Sequence, residues 1–349
     1  MDIPHGPADL SPGWLTGALR ETGTIQEASV LSFQADALSQ DKGVTGQLAR
    51  LTLEVDFQEE GAPRTLIAKF PIPRLNLGRE VLFYQQIADQ IEMRTPRCYY
   101  ADDKQMDASV LLLEDLAPAR SGGTNTLHDL PKVEHAVREL ARMHAAWWED
   151  PRLEAMDWLR RLDGAHFELT MKPLWDPFLQ QAGNRLPDRE AIGRLRSNTA
   201  YVIDHIWGQP PRTLLHGDFQ SDNLFFATPQ GGVPFAVIDW QGVGHGRGTY
   251  DVAFYLCRGA PPQERRAIEM RLLEIYHTAL VESGVQGYTL DQCIDDYRLS
   301  MLSILARTGV IIGRYLHEFP QLKHRFLDVC LPRSWAAVSD LHAVQLLPA

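Results

Sequence analysis

The sequence has little of the chemistry that marks a disulfide-stapled or metal-stapled protein. Its four cysteines, Cys98, Cys257, Cys293 and Cys330, are far apart, and no C-x-x-C pair occurs. Neither a disulfide framework nor a structural zinc site is indicated, and a reducing cytoplasm suits such a chain. H-E-x-x-H and G-x-S-x-G are also missing, which leaves zinc-peptidase and esterase readings without support. There is no long apolar run. The most apolar stretch, 301–312, is too short to span a bilayer and contains Arg307, so it reads as a buried helix and no membrane partner is expected. The first ten residues, MDIPHGPADL, are neither basic nor continuously apolar and do not read as a signal peptide. Positive charge is scarce: 34 Lys and Arg against 45 Asp and Glu give a net charge of −11. A nucleic-acid groove wants a basic field, so no nucleic-acid partner is expected. The acidic excess would suit a cationic substrate, although such an excess more often only keeps a protein soluble.

What is present supports a sizeable core. The chain has 349 residues, 44% of them apolar and 23% charged, enough for two domains or two lobes. Ser11-Pro12 reads as a helix start, with Ser as cap and Pro in the first turn. Residues 28–36 and 47–57 alternate apolar and polar side chains as half-buried strands do, and 39–46 is a polar, glycine-bearing turn between them. A third strand is predicted at 65–70, a helix at about 77–93, and a buried strand at 109–113 that stops at Glu114-Asp115. Beyond Pro118 the texture is helical. Val133, Ala136, Val137, Leu140, His144 and Trp148 form one stripe over 131–148, and helical periodicity returns over 262–345. Short apolar runs at 213–215, 224–226 and 235–240 bracket polar clusters. The pattern gives a strand-rich lobe over 1–117 ending in a hinge, and a helical lobe over 118–349.

The segment His216-Gly217-Asp218-Phe219-Gln220-Ser221-Asp222-Asn223 lies between two apolar runs and reads H-G-D-x-x-x-x-N. By composition alone such a match should arise on the order of once in a thousand chains of this kind. Further on, Val237-Ile238-Asp239-Trp240 places a second carboxylate at the end of a short apolar strand. Phosphoryl transfer uses this set of groups. A carboxylate must orient the acceptor hydroxyl and take its proton, a role that fits Asp218. Hard oxygen donors must hold magnesium against the phosphates, a role that fits Asn223 and Asp239.

With these motifs in hand, the chain resembles the aminoglycoside phosphotransferase and choline kinase superfamily. Within it, the chain is most similar to the ecdysteroid-kinase-like branch and its bacterial relatives. Leu111-Leu112-Leu113-Glu114-Asp115-Leu116, the 216–223 loop, Asp239-Trp240-Gln241 and Asp251-Val252-Ala253-Phe254-Tyr255-Leu256 carry the likeness, which spans roughly 12–330. The resemblance implies an α+β, bilobal protein-kinase-like fold: a small antiparallel-sheet N-lobe with one main helix, and a larger, mostly helical C-lobe. It implies ATP, with GTP not separated from it, and Mg²⁺ as cofactors. Lys69 matches the strand lysine that contacts the α- and β-phosphates, and Glu80 the glutamate that positions it. Glu114 and Leu116 fall in the hinge whose main chain reads the adenine edge. Gly43 and Gly46 fall in the phosphate loop, which here lacks the full G-x-G-x-x-G pattern but can still form an anion nest. His216 is implied to be structural. Asp251 matches an acidic residue that brace the catalytic loop in this superfamily; by its local sequence it reads equally as the cap of a helix over 252–256.

The reaction expected is transfer of the γ-phosphoryl group to a hydroxyl of a small molecule: an antibiotic, a sterol-like compound or an amino alcohol. A protein kinase is disfavoured because H-R-D, D-F-G and A-P-E are missing. A catalytically silent binding protein of the same fold is disfavoured because Lys69, Asp218, Asn223 and Asp239 are all retained. Acceptor specificity is expected in 150–212 and 262–330. Trp158, Trp175, Trp207, Tyr297 and Tyr315 could wall an apolar or steroid-like pocket, and Asp291, Asp295 and Asp296 could attract a polyamine or aminoglycoside, against the blander reading of core packing and a solvated helix face.

Overall fold

Alternation along the third strand decides which way the N-terminal sheet faces. In β3 (Thr65–Pro71), Leu66, Ala68 and Phe70 are fully buried in one apolar cluster with Leu15, Ala18 and Leu19 of α1 (Pro12–Glu21). Successive strand residues point to opposite faces, so Lys69 must look away from that cluster. The sheet is antiparallel, with β1 (Val30–Ala37), β2 (Gly46–Val55), β3, β5 (Ala108–Glu114) and β4 (Cys98–Gln105) in the order β1-β2-β3-β5-β4. Leu48 of β2 and Leu111 of β5 flank Lys69 in register. Ser11 caps α1 by accepting the Trp14 N–H, and Trp14 meets Tyr100 of β4 edge-on at 5.5 Å.

This computed structural model describes residues 2–38, 46–71, 77–105, 108–123 and 126–348. The chain divides into two compact units, Met1–Arg120 with Phe225–Gln241, and Ser121–Leu224 with Gly242–Ala349. The division falls three residues beyond the expected boundary at 117. The larger difference is that 225–241 belongs with the N-terminal unit, not with a continuous 118–349 lobe. The reason is packing: Phe225, Val233, Ala236 and Ile238 share an apolar cluster with Leu116 and Ala119.

Three elements differ from the sequence expectation. The helix predicted over about 77–93 is α2 (Gly78–Gln86), which stops at Ile87 and gives way to a 3-10 turn, Ala88–Gln90, because the chain must turn there to enter β4. The strand β4 was not predicted. It lies at the sheet edge, where Asp102, Asp103 and Lys104 interrupt any apolar alternation. In the second unit, α3 (Leu130–Ala146) buries Val133, Ala136, Val137, Leu140 and His144 as its stripe requires, but Trp147 and not Trp148 is the buried indole. The helix has ended by then, so Trp148 no longer follows the stripe.

The second unit is otherwise built from helices. Between α3 and the 216–223 loop come α4 (Arg152–Ala155), α5 (Gly164–Met171), α6 (Trp175–Ala182), α7 (Arg189–Ser197) and α8 (Thr199–Ile203). After it come α9 (Thr249–Gly259), α10 (Pro262–Glu282), α11 (Leu290–Tyr315) and α12 (Leu331–Asp340). The apolar stretch 301–312 lies inside α11 and is almost wholly buried, as expected. No helix among the described residues is long and apolar enough to cross a membrane.

Leu112 sits fully buried at the centre of the first unit's core. Leu112→Ala should cost about 2–5 kcal/mol of unfolding free energy through lost transfer energy and the cavity left behind. Urea unfolding followed by circular dichroism checks this, and a loss near zero would show that the sheet does not depend on this layer.

Candidate functional site

In the first unit the site is organised around one ammonium. Turned away from the apolar cluster, Lys69 Nζ donates to Glu80 Oε2 and to Asp239 Oδ1, each at 2.6 Å. Glu80 comes from the first turn of α2 and is completely buried, and Lys69 is nearly so. Asp239 follows β9 (Gly231–Val237), whose last amide donates to the Arg94 carbonyl at 2.9 Å. The next residue fixes this arrangement. Trp240 stacks on Phe83 of α2 at 4.1 Å with the rings 5° from parallel. Burial works against the Lys69 charge, but the carboxylates of Asp239 and Glu80 outweigh it and hold the pKa above the ordinary lysine value. Two carboxylates around one ammonium leave a net negative site.

Asp239 has φ of +67°, a left-handed conformation that a short polar side chain tolerates better than most. Strain of this kind collects at functional positions. Its side chain keeps 20% exposure, and only Oδ1 is taken by Lys69. The remaining oxygen is a hard donor in a negative setting, which suits Mg²⁺. That ion commonly takes one or two carboxylates and completes its octahedron with phosphate and water oxygens. Among the described residues no cluster of three or more His, Cys, Asp or Glu side chains forms a closed metal cage.

The other residues expected in this unit are more scattered. Glu114 ends β5, and its side chain binds Arg94 and the Arg97 N–H. The Leu116 carbonyl accepts from Ala119, while its N–H donates to no protein group among the described residues. A cavity of about 420 Å³ opens beside the following residues, lined by Arg50, Ala117, Pro118, Ala119, Arg120 and Gln230, and includes none of the Lys69 triad. Gly46 is the first residue of β2 and pairs with Pro71. Gly43 lies outside the described residues.

In the second unit the 216–223 loop leaves β7 (Thr213–Leu215), which pairs with β10 (Gly244–Gly246). Asp251 braces it. One carboxylate oxygen accepts the His216 N–H at 2.7 Å and the other the Gly217 N–H at 2.9 Å. Asp251 lies inside α9, whose cap position is Gly248, so the helix-cap alternative does not describe it. Gly217 has φ of +77°, and a Cβ there would stand 2.1 Å from the Gly242 carbonyl oxygen. Only glycine allows the two backbones to approach so closely. His216 is fully buried, and its Nδ1 accepts the Asp218 N–H at 3.2 Å, a structural role. His144 is likewise packed, with Nδ1 2.8 Å from the Tyr276 hydroxyl.

Asp218 is held at its carboxylate. Asn223 Nδ2 donates to its carbonyl at 2.9 Å and to its Oδ2 at 3.1 Å, and Gln220 Nε2 donates to the same Oδ2 at 3.0 Å. With the Asn223 nitrogen committed, its side-chain oxygen is the atom left for a cation. Sequence reasoning missed Gln220. Its position two residues after Asp218 was the only available signal. The candidate acceptor residues are mostly structural: Trp175, Trp207 and Tyr297 are fully buried, and Asp296 is paired with Arg247, His205 and Tyr288.

The ecdysteroid kinase-like family model matches residues 77–286, more than half of the chain. The chain belongs to the ecdysteroid kinase-like family. Sequence comparison with curated proteins gives no significant match. Among solved structures it is similar to a Ralstonia eutropha protein named as a candidate aminoglycoside phosphotransferase, at 15% identity, with 97% of this chain and 99% of that one covered and a TM-score of 0.57. An aminoglycoside 2'-phosphotransferase IIIa mutant in complex with GDP matches at 14% identity, covering 93% of this chain and 97% of its own, with a TM-score of 0.55. A thermostable aminoglycoside phosphotransferase mutant in ternary complex with ADP and hygromycin B matches at 16% identity, covering 94% and 97%, with a TM-score of 0.54. At these identities the likeness establishes the fold: this family member has the aminoglycoside phosphotransferase and choline kinase architecture of the protein-kinase type.

The triad makes a prediction about stability. Lys69→Met leaves two carboxylates without their cation, and breaking a buried pair in this way costs about 3–5 kcal/mol near neutral pH. Burial already pushes the Glu80 carboxyl up, and losing the ammonium raises it further. A carboxyl whose folded pKa lies above its unfolded value destabilises at high pH, and the penalty fades as pH falls through the folded pKa. The variant should therefore recover relative to wild type between neutral pH and about pH 5 in urea titrations. A loss independent of pH would exclude unpaired carboxylates as its cause.

Proposed function

We propose that this family member is a small-molecule kinase that moves the γ-phosphoryl group of ATP to a hydroxyl. The observation that carries this reading is the shared contact of Lys69 with Glu80 and Asp239, which brings together residues 170 positions apart in the chain in the roles a phosphate anchor, its positioner and a metal ligand require. Lys69 would meet the α- and β-phosphates, and Glu80 would hold it there. Asp239 would hold Mg²⁺, with the Asn223 oxygen as a second hard donor. When bound, that ion supplies positive charge to the β- and γ-phosphate oxygens. The free Leu116 N–H suits a main-chain contact to adenine.

The acceptor hydroxyl donates a hydrogen bond to the Asp218 carboxylate, which orients its oxygen toward the γ-phosphorus. As the new P–O bond forms, the bond from the γ-phosphorus to the β,γ-bridging oxygen breaks and ADP leaves. The hydroxyl proton passes to Asp218. Gln220 and Asn223 fix Oδ2, so the carboxylate does not have to reorganise during the step. The two neighbours bound to GDP and to ADP with hygromycin B support nucleotide and small-molecule binding on this fold.

Asp218→Asn should lower kcat by about 10²–10⁴ while leaving binding of a non-hydrolysable ATP analogue intact, because the amide keeps the shape but cannot take the proton. Asp239→Ala should instead remove most of the magnesium dependence of that binding in calorimetry. Wild-type turnover in the first variant, or unchanged magnesium dependence in the second, would sink the reading.

A further inference from the structure

Two arginines of the second unit have no carboxylate partner among the described residues, and both lie on the indole of Trp207. Arg160 is fastened to the ladder that carries the 216–223 loop. Its N–H donates to the Val243 carbonyl at 3.1 Å, its carbonyl accepts from His245 at 3.3 Å, and it forms a bridge with Gly244, the residue opposite Leu215 in the β7–β10 pair. A Cβ on Gly244 would lie 2.5 Å from the Arg160 carbonyl oxygen, so the fold keeps glycine there to admit this arginine. Arg307 approaches from α11. Both guanidinium groups lie against one fully buried indole, Trp207, with their central carbons 5.8 Å and 5.7 Å from its centre. Arg307 also lies 5.4 Å from the Tyr250 ring and donates to the Tyr250 hydroxyl.

Arginines in this protein are commonly paired: Arg247, Arg265, Arg266 and Arg298 each meet an aspartate or glutamate. Neither Arg160 nor Arg307 lies within 4 Å of a carboxylate among the described residues. Burial pulls both below the ordinary arginine pKa, Arg160 pulls Arg307 down further, and Asp218 is the acidic group that offsets each. Two partly desolvated cations held on one indole, both within electrostatic reach of Asp218, therefore carry positive charge in excess. Of the acidic residues that could attract a cationic acceptor, Asp296 is taken by Arg247, His205 and Tyr288, and Asp295 by Arg298.

We propose that Arg160 and Arg307 bind an anionic group on the phosphate acceptor, so that the substrate is a hydroxylated carboxylate, sulfate or phosphate monoester and not an aminoglycoside or amino alcohol. The proposal rests on the kinase reading, which supplies the hydroxyl-orienting role of Asp218. Guanidinium forks match carboxylate and phosphate oxygens two at a time, so they fix the orientation of the acceptor as well as its charge.

The test uses the full chain and malonate as the probe, with malonamide and ionic-strength-matched sodium chloride as controls, read as a shift in thermal unfolding midpoint. Malonate should raise the wild-type midpoint and the controls should not. The double variant R160Q/R307Q should bind malonate at least about tenfold more weakly, since hydrogen bonds to charged groups are the strong ones. Its Lys69-dependent stabilisation by magnesium and a non-hydrolysable ATP analogue should persist, which shows that the variant is folded. Malonate and the analogue should also stabilise additively. No malonate shift in wild type, or a shift that survives in R160Q/R307Q, overturns the proposal. A malonate shift abolished by the analogue assigns the arginines to nucleotide phosphate and also overturns it. Loss of the analogue's own shift in wild type, with the malonate shift intact, identifies the kinase reading as the part that failed.

Discussion

The ammonium of Lys69 is the constraint on which the first unit's arrangement depends. Without it, α2 and the segment after β9 would bring two carboxylates together, one of them fully buried, and both could not remain ionised there at modest cost. With it, one donor group ties a strand, a helix and a hairpin that lie far apart in the chain. The stack of Trp240 on Phe83 is the apolar counterpart of the same join. The triad also explains why 225–241 counts with the N-terminal unit although it follows the 216–223 loop in sequence. Its terminal carboxylate is bound there.

The second unit solves a different problem, which is to hold a loop still without regular secondary structure. Asp251 does this by accepting two successive backbone amides, a charge-assisted pair in a fully buried setting. The close approach of Gly217 to Gly242 then removes the space in which the loop could relax. Asn223 and Gln220 complete the hold at the side-chain level. The carboxylate of Asp218 is therefore held in one orientation by its own loop.

How legible this was depended on whether a residue's role is local. The H-G-D-x-x-x-x-N segment announces itself because one short loop holds its base and its amide. The face of Lys69 followed from strand alternation, since Leu66, Ala68 and Phe70 claimed the other side. The edge strand β4 was hidden because its charged residues break the apolar pattern. Asp251 could be read as cap or brace, since its partners lie more than thirty residues upstream and no sequence period reports them. Gln220 occupies a variable position of the motif, where the spacing asks for no particular side chain. Arg160 had no signal of its own, because its position depends on a bridge to Gly244 that only the folded chain contains. Arg307 was noted only as a charge that argued against a membrane helix.

That last residue shows why a chain's net charge is a poor guide to its ligand. The balance of −11 sets a long-range field that favours cations. The field is screened within roughly 8 Å at physiological ionic strength, whereas partly buried groups are screened far less. What a ligand meets on arrival is therefore decided by the few side chains near the base and by whether their charges are already satisfied. Many of the acidic residues that make the chain negative are tied up in ion pairs, Asp296 and Asp340 among them. Arg160 and Arg307 have no carboxylate within 4 Å among the described residues, so the two guanidinium groups on Trp207 carry a local charge opposite in sign to that of the whole molecule.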